Sequence, residues 1–90
     1  MTHMSTEGTM KMGRLIVVRA TWDSDVQAWT AESSDLPGLV TEASSLNELT
    51  AKLPNLIRDL LEDDAEGSYE VPVEVVASMS TRVKVGAKAA

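Results

Sequence analysis

The chain of 90 residues has no cysteine, no phenylalanine and a single histidine. Without cysteine there are no disulfide staples and no thiolate metal ligands, which suits a reducing cytoplasm, the expected location. His3 lies in a patternless N-terminal stretch, so the side chain best matched to acid–base work near neutral pH falls outside the expected fold. Serines and threonines are present, but no G-x-S-x-G elbow activates them, and there is no phosphate-binding loop or dinucleotide fingerprint. No apolar run approaches the roughly 18 residues of a membrane span, and the N-terminus lacks the apolar core of a secretory signal. These absences disfavour catalysis and membrane insertion. The expectation is a protein that is not an enzyme and uses no cofactor and no metal.

Positive charge is also scarce. Fourteen carboxylates face eight basic side chains, for a net charge of −6. Lys11, Arg14, Arg19, Lys52 and Arg58 are scattered, and Arg82, Lys84 and Lys88 gather only at the tail. Nucleic-acid binding requires a clustered positive surface to displace counterions, so that class is disfavoured. An acidic surface suits a basic protein partner, and it also serves solubility. A chain this short makes one domain and buries only about 60–65% of its unfolded surface, so self-association is a natural route to more burial.

Residues 1–13 are polar and Met-rich without periodicity, and are expected to be a disordered leader or a remnant of expression. Arg14 to Trp22 alternates, with Ile16, Val18, Ala20 and Trp22 on one face and Leu15 and Val17 on the other, as a strand does. Asp23-Ser24-Asp25 is a turn cluster, and Val26 to Ser33 is the return strand of a hairpin. Ser34-Asp35-Leu36-Pro37-Gly38 is a tight corner, with Gly38 at the type II position that needs positive φ. Leu39 to Glu42 is then a short strand.

Ser45 and Glu48 have capping-box spacing. Leu46, Leu49, Leu53, Leu56, Ile57, Leu60 and Leu61 follow at steps of three and four, which predicts an amphipathic helix. Pro54 sits inside the stripe without breaking its phase, so one kinked helix or two abutting ones are expected. Glu62 to Ser68 is the exit loop. Tyr69 to Ser80 alternates as a fourth strand, with Pro72 marking an entry point or an edge, and Arg82 to Val85 as a further extension. The domain therefore spans 14–85, with 86–90 frayed. The order β-β-β-α-β gives an α+β two-layer sandwich, one helix on one face of a mainly antiparallel sheet. Leu15, Val17, Trp29 or Val76 remain for the opposite face, depending on register, and a second subunit is expected to cover them.

Three features bear on chemistry. Asp23, Asp25, Glu32, Asp35 and Glu42 are the carboxylates of the hairpin and corner. Convergence of Asp23, Asp35 and Glu42 would make a Mg²⁺-dependent nuclease, but three of the five stand where turn chemistry alone would put them. Trp22 and Trp29 flank the first turn and serve either as core or as contact anchors. The helical leucines suit packing on the chain's own sheet better than a partner groove. The exposed loops around Asp23 and Asp25, the corner residues Asp35, Leu36 and Pro37, and Trp29 form the candidate partner surface.

The run from Trp22-Asp23 through Trp29-Thr30-Ala31 to Ser34-Asp35-Leu36-Pro37-Gly38-Leu39-Val40-Thr41-Glu42-Ala43, with the helix after it, resembles HicB-type antitoxins. It is most similar to a compact HicB-like group of uncharacterised bacterial proteins, a domain of unknown function of the 1902 type. Leu53-Pro54 and Leu60-Leu61 share that likeness, which covers roughly residues 14 to 76. The resemblance implies a partial ribonuclease-H-like fold without the nuclease's active site. It also implies homodimers or larger assemblies, and a partner in the form of a small basic HicA-like RNase toxin. Typical HicB chains also carry a C-terminal DNA-binding segment, whereas Val85 here is followed by Gly86-Ala87-Lys88-Ala89-Ala90. The alternative is a stand-alone homo-oligomer with a structural or small-ligand role and no toxin.

Overall fold

The hairpin is the organising element. In the computed structural model, which describes residues 11–61 and 69–86, β2 (Ile16–Asp23) pairs antiparallel with β3 (Ala28–Glu32). Asp23 begins the reversal, its Oδ1 accepting the Asp25 N–H at 3.0 Å, and Gln27 completes it at φ 57°. β4 (Val40–Ala43) adds antiparallel to β3, and β6 (Val73–Ser78) adds parallel to β2, giving the order β4-β3-β2-β6. α1 (Leu46–Leu61) supplies the crossover between β4 and β6 and lies over β3 and β4. This is the expected α+β layered sandwich, with a mixed sheet because the last strand runs parallel.

Alternation fixes the two faces. Ile16, Val18, Ala20, Ala31 and Ala43 point to the helix and are buried. They meet Leu49, Leu53 and Ile57, spaced at three- and four-residue steps on α1. Leu46, Leu56 and Leu61 pack at the margins of this core, whereas Leu60 is exposed. The helix starts where expected: Ser45 Oγ accepts the Glu48 N–H at 3.1 Å. The reciprocal contact is displaced by one residue, since Glu48 Oε1 accepts from both the N–H and the hydroxyl of Ser44. Pro54 lies within a single helix rather than between two, because the stripe on either side of it faces the same core.

Three expectations are corrected. The leader does not extend to residue 13: Lys11–Met12 is a short strand, β1, parallel to β5 (Tyr69–Glu70). Gly13 N–H donates to the Glu70 carbonyl at 2.6 Å beside it. The final strand is not continuous from Tyr69 to Ser80. It breaks at Val71-Pro72, where proline has no N–H to give and its carbonyl instead accepts from Ile16 N–H at 2.9 Å. Arg82 to Val85 does not prolong β6: residues 79–86 are exposed and carry no strand pairing. The exit loop at Glu62 to Ser68, residues 1–10 and residues 87–90 lie outside the described residues.

Candidate protein-binding surfaces

The corner after β3 is built by side chains that imitate a strand. β3 leaves the ladder at Glu32, opposite Arg19. Beyond it, Ser33 Oγ donates to the Val17 carbonyl at 2.7 Å, and Asp35 Oδ2 accepts the Val17 N–H at 2.8 Å. Ser33 is buried and Leu36 is tucked into the core. The Leu36 carbonyl accepts Leu39 N–H at 3.1 Å across Pro37-Gly38, and Gly38 has φ 97°, the geometry of a type II turn. Of the candidate corner residues, Asp35 is therefore engaged with the β2 backbone, Leu36 is buried and Pro37 is exposed.

Asp23 and Asp25 stand at the other end of the hairpin. Asp23 is six residue steps along β2 from Val17, the residue that Asp35 bonds, which is about 20 Å at strand rise. The carboxylates considered for Mg²⁺ are thus split between opposite ends of β2. No group of three potential ligands converges among the described residues. Trp29 lies directly opposite Trp22 on the helix side, with ring centroids 5.6 Å apart in an edge-to-face arrangement. Both are half-buried, and Trp29 packs against the core. The register thereby removes Trp29 from the opposite sheet face.

That opposite face is polar. Asp23, Glu32, Glu42 and Glu74 alternate onto it against one cation, Arg19, with Thr21, Thr30 and Ser78 between them. Val17, Ala28, Val40 and Val76 are its apolar members, Leu15 just before β2 alternates onto the same side, and Leu15, Val40 and Val76 are exposed. It is a surface of net negative charge, and strand alternation keeps most apolar residues off it. Strand alternation was visible in the sequence, but the pairing that collects these four carboxylates was not.

A concave apolar surface lies on the helix side. Because α1 leans toward β3 and β4, a groove of 630 Å³ opens between it and β6. Leu53, Ile57, Leu61, Tyr69, Val71 and Val75 line it, and Val73 at its rim is 39% exposed. The leucine stripe serves both the core and one wall of this groove.

No helix among the described residues is long and apolar enough to cross a membrane. The family model described as Domain of unknown function (DUF1902) matches residues 15–87. A solved structure, a hypothetical protein from the extremely thermophilic bacterium Thermus thermophilus, is 40% identical. The match covers 80% of this chain and all of that one, with a TM-score of 0.57. No curated protein matches. The matched stretch takes in the hairpin, the Pro-Gly corner, α1, β6 and the tail beyond it, and the chain belongs to the DUF1902 family.

Proposed function

We propose that the protein is a non-catalytic protein-binding module of the HicB antitoxin type, whose partner is a small basic HicA-like RNase toxin. The observation that carries this reading is the sheet face opposite α1, which carries four carboxylates and a single arginine. A face of one sign steers an oppositely charged partner and fixes its orientation. The exposed Asp25 turn and Pro37 border the same hairpin at its two ends. The separation of Asp23 from Asp35 by the length of β2 argues against a Mg²⁺-dependent nuclease.

The test is coexpression with the product of a short basic open reading frame adjoining the gene. Growth arrest by that product should be relieved by this chain, and the paired reversal Glu32→Lys with Glu42→Lys should abolish the relief. Relief that survives both reversals would sink the reading, as would a basic neighbour that this chain fails to neutralise. The second reading, a stand-alone homo-oligomer with a structural or small-ligand role, is favoured by a different feature, the open groove beside β6.

A further inference from the structure

β6 has a strand neighbour, β2, on one side only, so its outer edge is free among the described residues. Beyond Ser78 the chain continues as Met79, Ser80, Thr81, Arg82, Val83, Lys84, Val85, alternating apolar or methyl-bearing with polar side chains. That period of two is strand patterning with no strand to pair with. Met79 is 57% exposed, Val83 77% and Val85 81%. Free edges and unpaired ribbons of this kind template pairing with another chain.

We propose that two copies of this chain pair reciprocally through these ribbons. Each tail lies antiparallel along the free edge of its partner's β6 and places its apolar side chains at the mouth of the partner's groove. The proposal rests on the reading of the domain as a protein-binding module, but uses a surface separate from the acidic sheet face. In an antiparallel pair about a two-fold axis, the numbers of opposed residues add to a constant. Setting Met79 opposite its own copy pairs Val73 with Val85, Glu74 with Lys84, Val75 with Val83 and Val76 with Arg82.

Three features favour this register. Val73 and Val75 face α1, so Val83 and Val85 opposite them fall on that same side, next to the apolar groove. Charge is complementary: Arg82, Lys84 and Lys88 are the only charged residues after Ser78, while all fourteen carboxylates precede it. The pairing sets Lys84 against Glu74. Both ends of the ladder also terminate together. β6 begins at Val73, and Gly86, which opposes Pro72 just outside it, has φ 75°, which ends extended pairing there. A slip of one residue would turn the tail's valines to the polar face, and a slip of two would set Gly86 opposite Glu70 or Glu74.

The absence of native cysteine makes the test direct. In the full chain, Met79→Cys should form a covalent dimer on mild oxidation, because directly opposed Cβ atoms lie about 4.5–5.5 Å apart. Arg82→Cys should not, since its two copies stand about 20 Å apart along the ribbon. By sedimentation equilibrium the wild type should be a dimer. Glu74→Lys and Lys84→Glu should each weaken it by about tenfold, each change counting twice by symmetry, and the double exchange should restore it. Val83→Asp should give a folded monomer. A wild type that is monomeric throughout the concentration range overturns the proposal, and so does a dimer indifferent to Val83→Asp and to both charge changes. Equal cross-linking of the two cysteine variants does the same. A monomer that still neutralises a basic toxin overturns the ribbon and leaves the acidic face standing; a dimer that binds no basic protein does the opposite.

Discussion

Asp35 holds the backbone of Val17. Its carboxylate accepts the Val17 N–H at 2.8 Å, while Ser33 Oγ, two residues earlier, donates to the Val17 carbonyl at 2.7 Å. Ser33 Oγ also accepts the Asp35 N–H at 3.1 Å, closing the unit. A backbone pair that β3 abandons at Glu32 is thus satisfied by two side chains, at a position where bonding by water is restricted. The Pro-Gly corner is anchored to the middle of the sheet by polar atoms as well as by the buried Leu36.

Asp35→Ala should therefore destabilise the fold by about 1–2 kcal/mol, the range for leaving a partly buried donor unmatched. Asp35→Asn keeps an oxygen in the same place and should lose less than half of that. Ser33→Ala combined with Asp35→Ala should cost less than the sum of the singles, because the two side chains share one network. Urea unfolding followed by tryptophan fluorescence reads all four proteins. Equal losses for the alanine and asparagine variants would remove the hydrogen bond from the explanation.

Gly38 occupies φ 97° beside Pro37, a conformation in which a Cβ is strained. An added methyl would meet only the Leu60 side chain, at 3.4 Å, an ordinary contact. The cost of Gly38→Ala is then backbone strain rather than crowding, about 1–2 kcal/mol. Leu60→Ala placed alongside it should leave that cost unchanged; relief by the second substitution would show that the clash was steric.

The elements that were legible in the sequence are those whose residues answer to one neighbour. The helix from Leu46 to Leu61, the hairpin and the type II corner follow from a leucine stripe, a turn cluster and a Pro-Gly step, each read locally. The division of Tyr69 to Ser80 was only half legible. Pro72 announced an entry point, but the pairing of Tyr69–Glu70 with Lys11–Met12 joins segments far apart in sequence. The acidic face and the groove were not legible, because both depend on register and on the lean of α1, which no single segment encodes. The two tryptophans show the same limit. Alternation put Trp22 on the core face, but only the cross-strand pairing sets Trp29 beside it.

That pairing makes the two tryptophans unequal. Trp29 sits on the inner strand β3, flanked by β2 and β4, and packs against the core. Trp22 lies near the end of β2 and reaches that core through its edge-to-face contact with Trp29. Trp29→Ala should cost about 3 kcal/mol, at the lower end of large-to-small aromatic losses because the ring is half-buried. Trp22→Ala should cost about half as much, the pair term itself being roughly 1 kcal/mol. Thermal unfolding by circular dichroism compares them, and the reverse ranking would mean that Trp22 is the anchor.

Pro54 tests how much the helix concedes to its surroundings. It lies within α1, on the groove side, and denies the Thr50 carbonyl its N–H four residues on. Interior proline costs about 3 kcal/mol against alanine in a helix, and stiffening of the unfolded chain returns about 1 kcal/mol of that. Pro54→Ala should then stabilise the fold by roughly 2 kcal/mol, read as a higher urea midpoint at unchanged slope. The ring is exposed, so little packing is lost to offset the gain. A lower midpoint would require the ring to brace the groove wall against β6, and self-association should weaken in the same variant. A higher midpoint with self-association intact would place the proline's effect in the backbone of α1 alone.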